Sequence, residues 1–163
     1  MRNVWSRAAW ALWLPVGAVH AAELPLTQEG LWDVHIRTTI APKKTLTVTN
    51  YRLCRDHASE RAANVLFQNV RGCSVATTAT GGGRFAVQTR CATPASVILT
   101  RATLTYHGAT ARHAESKTTY TPPIEGKTQA TSVEDQKFVG ACPADMKPGD
   151  RRAADGTLQS RQE

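Results

Sequence analysis

The sequence predicts an all-β domain: an antiparallel sheet closed into a small barrel or sandwich, with one short helical insertion and two disulfides. Three observations carry that expectation. Apolar and polar residues alternate along most of the chain, as in Trp32-Asp33-Val34-His35-Ile36, which gives each strand one buried and one solvated face. Threonine recurs through these runs, and its branched Cβ packs well on a pleated surface. Turn residues break the runs at Pro42-Lys43-Lys44, Gly81-Gly82-Gly83 and Thr93-Pro94-Ala95. Barrel and sandwich both fit, because each disposes of sheet edges. A chain of 163 residues suits one domain with a modest core.

The first strand runs from Gly30 to Ile40 and the second from Thr45 to Cys54. Asp56 then caps a helix through His57 to Asn64, with Val65, Leu66 and Phe67 available to pack beneath it. Residues Gly72 to Cys91 form a hairpin, because three glycines can take the positive φ values of a tight turn. Val97–His107 and Ala109–Tyr120 are partners across Gly108. Thr121-Pro122-Pro123 is expected to be a loop, since prolines supply no ladder donors. The last strand, Gly126 to Val139, is mostly polar and is expected at an edge or facing solvent. Pro148–Glu163 lacks apolar periodicity and is expected to be a disordered tail. The domain itself is therefore placed at 30–147, after a lead-in at 22–29.

Residues 1–21 read as a cleavable leader. Arg2 and Arg7 precede an apolar run, Ala8–Val19, and Val19-His20-Ala21 offers cleavage after Ala21. The run is too short for a transmembrane helix, and Pro15 and Gly17 interrupt it. The expectation is an exported, periplasmic protein with no membrane span. Its formal charge falls from +7 to +5 as Arg2 and Arg7 leave, and Trp32 is the one tryptophan beyond the leader.

Cys54, Cys73, Cys91 and Cys142 all lie beyond the leader. An even count in an exported chain reads as two disulfides. With no Cys-x-x-Cys pair, a zinc ribbon and a thioredoxin-type redox site are excluded. Two pairings compete. A hairpin symmetric about Gly82 sets Cys73 opposite Cys91 and leaves Cys54 for Cys142. Pairing neighbours in sequence, Cys54 with Cys73 and Cys91 with Cys142, is the preferred expectation. It would clamp the helix and pin the polar last strand, and three glycines leave the hairpin register uncertain.

Several pieces of sequence recur together in a known family. Gly30-Leu31-Trp32-Asp33-Val34 follows soon after the leader, and Leu53-Cys54-Arg55-Asp56 introduces the helix. Next come a central cysteine and Tyr106-His107-Gly108, and the close is Gly140-Ala141-Cys142-Pro143-Ala144-Asp145-Met146-Lys147-Pro148-Gly149-Asp150. From about Gly30 to Asp150 the chain resembles the proteobacterial periplasmic family called domain of unknown function 3617. It departs from the family's methionine-rich text after the first strand, where it has Ala41-Pro42-Lys43. The resemblance implies a periplasmic β-rich domain and no particular reaction.

No catalytic motif is visible: there is no Gly-x-Ser-x-Gly elbow, His-Glu-x-x-His or Ser-x-x-Lys. His107 and His113 flank one hairpin, but no third ligand type stands near them, so no metal and no cofactor are expected. The basic residues are scattered without an aromatic stripe, which argues against nucleic acid as a partner. Attraction to an anionic envelope component is physically reasonable for this charge. The expected function is a non-enzymatic binding module for a small apolar or amphipathic ligand, since a small barrel can enclose one. Trp32 and Tyr106 are the expected ligand-lining residues. The alternative is an envelope interaction or inhibitor module acting through its surface.

Overall fold

The computed structural model describes residues 22–160; the expected leader, residues 1–21, and its expected cleavage point lie outside them. In chain order the elements are β1 (Gly30–Ala41), β2 (Thr45–Arg55), α1 (His57–Gln68), β3 (Cys73–Gly81), β4 (Arg84–Ala92), β5 (Val97–His107), β6 (Ala111–Ile124), β7 (Lys127–Gly140), β8 (Arg151–Ala153) and β9 (Leu158–Gln159). They form one antiparallel sheet in the order β3-β4-β5-β6-β7-β1-β2-β8-β9. The expectation of a closed barrel or a sandwich is corrected accordingly. The all-β class with one helix holds, but the sheet is single and its ends, β3 and β9, are not joined.

The topology explains why. The β1–β2 hairpin leaves the chain on one side of the sheet, and α1 carries it to the far edge. From there β3 to β7 meander back until β7 pairs with the free side of β1. At the β3 edge the lead-in supplies a partner, with the Ala22 amide donating to the Thr77 carbonyl at 3.0 Å. This shields an edge without closing the sheet.

Helix α1 begins where Asp56 predicts. The Asp56 carboxylate accepts from the Ser59 amide at 2.7 Å, and the Ser59 hydroxyl reaches back to the Asp56 backbone. This reciprocal cap satisfies amides at the helix start that have no intrahelical acceptor. The same bonds hold the Asp56 carboxyl below its usual pKa. The helix extends to Gln68 and takes in Val65, Leu66 and Phe67, none of which is buried.

The core is small and centres on β1. Trp32 and Val34 are fully buried. Leu31 pairs with Cys54 on one side and Gly140 on the other, and it packs with Cys54, Met146 and the half-buried Cys142. Gly30 allows this approach. With φ at 134°, it is so close to β7 that a Cβ would lie 2.3 Å from the Gly140 carbonyl oxygen.

The disulfides correct the preferred pairing. Cys54 joins Cys142, and Cys73 joins Cys91. Cys73 faces Cys91 because the hairpin keeps its register despite a shift between Ala79 and Gly81, and Gly81, Gly82 and Gly83 all have positive φ. Cys142 lies two residues past the Gly140 that adjoins Leu31, so the chain folds over Leu31 onto Cys54. Cys54 and Cys73 sit on strands far apart in sheet order.

Three other expectations change. Strand β7 lies at the centre of the sheet between β6 and β1, not at an edge. Strand β6 continues through Pro122 and Pro123, where its register with β7 is irregular. The stretch expected to be a disordered tail is ordered over 148–160. Asp150 is buried, its carboxylate accepts from the Lys147 amide, and its carbonyl accepts from the Cys54 amide at 3.0 Å. Strand β8 then pairs with β2. Backbone pairing and one buried carboxylate do here what apolar periodicity does elsewhere.

Deleting residues 148–163 is therefore expected to cost about 2 kcal/mol or more, at about 1 kcal/mol per lost hydrogen bond. Urea denaturation measures it. The two disulfides should also differ, because they span 88 and 18 residues. On the chain-entropy account they contribute about 4.5 and about 3 kcal/mol. The Cys54→Ala/Cys142→Ala protein should thus unfold at lower urea than Cys73→Ala/Cys91→Ala.

Candidate functional site

Strand register assembles the site. Tyr106 on β5 faces Arg112 on β6, Arg112 faces Gln136 on β7, Gln136 faces Val34 on β1, and Val34 faces Tyr51 on β2. Five strands thus place five side chains in one row across the same face of the sheet. Leu53 and Arg55 follow Tyr51 along that face of β2, and Glu134 precedes Gln136 on β7. Helix α1 brings Glu60, Ala63 and Leu66 over the row, and β8 brings Arg151. Between them lies a trough of about 620 Å³ lined by Tyr51, Leu53, Arg55, Glu60, Ala63, Leu66, Arg112, Glu134 and Arg151.

A hydrogen-bonded chain of charges forms its floor. The Arg55 guanidinium donates to the Thr27 hydroxyl and to the Gln136 side-chain oxygen, each at 2.8 Å. Its Cζ lies 4.7 Å from the centre of the Trp32 ring, a cation–π contact. Glu60 is 3.8 Å from Arg55 and accepts from the Thr27 amide and hydroxyl at 3.0 Å. Gln136 donates onward to Glu134, and Glu134 pairs with Arg112. Burial lowers the Arg55 pKa, opposed by Glu60. Burial also works against the Arg112 charge, but Glu134 and Tyr106 outweigh it and the pKa is raised.

Arg151 has a different setting. It is exposed, lies 5.0 Å over the Tyr51 ring, and has no carboxylate partner among the described residues. The Tyr51 pKa is raised by burial, with Arg151 pulling the other way. Its hydroxyl therefore stays protonated near neutral pH and can donate.

Trp32 and Tyr106, expected to line a ligand site, lie beside this trough. Trp32 is fully buried, its indole donates to the Gln28 carbonyl at 2.8 Å, and Phe138 meets it edge-on at 6.1 Å. Tyr106 is buried against Arg112, with Phe85 edge-on at 5.7 Å. Both pack beside the trough's residues on that same face, and neither lines the trough. Tyr51, Arg55, Glu60, Arg112, Glu134 and Arg151 were not singled out from the sequence. A signal for two of them was present: Arg112 and Glu134 share strand parity with Tyr120 and Phe138.

The histidines sit elsewhere. His35, His107 and His113 border a hollow of about 400 Å³ on the other face of the sheet. Among the described residues no three His, Cys, Asp or Glu gather as a metal would need. His113 contacts Asp135 at 2.7 Å, and this hydrogen bond raises its pKa.

Two outcomes test these interactions. Glu60→Ala leaves the buried Arg55 charge without its carboxylate and should cost about 3 kcal/mol or more in urea denaturation. His113, with its raised pKa, contributes stability that is full below its unfolded pKa of about 6.5. That contribution is lost as pH rises through the folded value. An NMR titration should show His113 above the unfolded value, and Asp135→Asn should lower it.

Comparison with known proteins agrees with the family resemblance. No curated protein matches the sequence. Among solved structures, the comparison found a similarity to the S-type phycobiliprotein lyase CPES from Guillardia theta, at 6% identity and a TM-score of 0.40, over 69% of this chain and 89% of the lyase. The family model described as protein of unknown function (DUF3617) matches residues 27–142. That span holds the Gly-Leu-Trp start, all four cysteines and every charged residue of the trough but Arg151, and the chain belongs to the DUF3617 family.

Proposed function

We propose that this protein is a non-enzymatic periplasmic binding module that holds a small amphipathic ligand in the trough between α1 and the sheet. The observation that carries this reading is that the sheet does not fill its own inner face. Ile36, Ile98 and Leu104 alternate toward that face and stay half-exposed, and the trough lies within the size range of small-molecule sites. Its lining pairs apolar surface, from Leu53, Ala63 and Leu66, with arginines and a tyrosine. A purely apolar ligand would strand those polar groups, whereas an amphipathic one satisfies both. Arginine holds charge without exchanging protons near neutral pH, which suits binding more than turnover. The leader and two disulfides support an exported setting.

Organic extraction of protein purified from the periplasm, followed by mass spectrometry, tests this. A stoichiometric amphipathic small molecule is the expected result, and its absence would overturn the carrier reading.

One observation favours a second reading, an interaction module acting through its surface. Val65, Leu66, Phe67 and Val70 are 58%, 62%, 48% and 50% exposed at the end of α1 and just beyond it, and such clusters mark interaction sites. Phe67→Asp/Val70→Asp should abolish co-purification of an envelope partner under that reading, and leave ligand content unchanged under the first.

A further inference from the structure

The trough's charges do not balance. Among the described residues, Arg55, Arg112 and Arg151 face only Glu60 and Glu134 there. Arg55 and Arg112 each have a carboxylate close by, so the surplus falls on Arg151, beside Tyr51. Arg151 lies over the Tyr51 ring, and Arg151, Arg112 and Arg55 together with the opposing Glu134 lie near enough to Tyr51 to influence its ionisation. Three arginines and the Tyr51 hydroxyl thus converge there against Glu134, which Arg112 already pairs, and positive charge is in excess. In a partly enclosed site such donors act on an opposite charge more strongly than in bulk water.

We propose that the trough binds an amphiphile by its oxyanion, a carboxylate or phosphate held at Tyr51 between Arg151 and Arg112. This rests on the trough being a ligand site, and it adds the chemical class of the head group. The anion accepts from the Tyr51 hydroxyl and from Arg151, while Glu134 keeps Arg112 in place. The apolar part lies along Leu53 and under Leu66.

Calorimetry on the mature protein with four probes tests this: laurate, dodecyl phosphate, dodecanol and inorganic phosphate. Laurate and dodecyl phosphate are expected to bind at least about tenfold tighter than dodecanol, with the gap narrowing at high salt. Arg151→Met should remove most of that gap, and Tyr51→Phe part of it. Arg151 is exposed, so its variant should fold normally, which circular dichroism and Tm confirm. Dodecanol binding as tightly as laurate, or a folded Arg151→Met protein keeping the preference, overturns the anion assignment and leaves the trough as an apolar site. If none of the three amphiphiles binds, the ligand-site reading itself falls. Inorganic phosphate binding as tightly as dodecyl phosphate, and depending on Arg151, would support the anion site but overturn the amphiphile.

Discussion

The buried Arg55 guanidinium is the contact on which the rest of the molecule depends. It reaches the lead-in through Thr27, β7 through Gln136, α1 through Glu60 and β1 through the Trp32 ring. A guanidinium removed from water is costly unless its charge and its donors find partners. Here the partners come from four separate segments, so the charge is satisfied only when all four are in place. The outcome is a specific arrangement of lead-in, helix and sheet, in a protein whose apolar core is small.

The family's sequence signatures have one structural explanation. Gly30 permits close approach to β7, and Leu31 lies between Cys54 and Gly140. Cys142 folds back to bond Cys54, Met146 covers the pair, and Asp150 ties the closing loop to the Cys54 backbone. Segments more than a hundred residues apart thus form one knot at the base of the sheet. The knot anchors β2, which carries Tyr51, Leu53 and Arg55 into the trough.

The open sheet is what leaves that trough available. A closed barrel of this size would be filled by its own side chains or sealed around a cavity. Here α1 bridges the two sides of the sheet without burying any of its own residues, and the inner face between remains partly exposed. Loose coverage by a helix over a charged floor is compatible with a ligand entering beside it, since the floor is fixed by hydrogen bonds rather than by the helix's apolar packing.

Strand alternation, the Asp56 cap and the family motifs were legible from residues alone, because each rests on local geometry: a period of two, a side chain reaching three residues on, a glycine turn. The symmetric register that pairs Cys73 with Cys91 was legible too, as one of two alternatives. What local pattern did not reveal was which strands are central. Strand β7 is polar, so it read as an edge or a solvent-facing strand, yet it lies between β6 and β1, and Glu134 and Gln136 turn inward to meet Arg112 and Arg55. Polarity marks an edge only when the buried face is apolar; a buried face built from paired charges reverses the inference. Likewise the segment from Pro148 onward looked disordered because a buried Asp150 and a three-residue strand leave no apolar period to read. Both depend on partners far away in sequence, and only the tertiary structure supplies them.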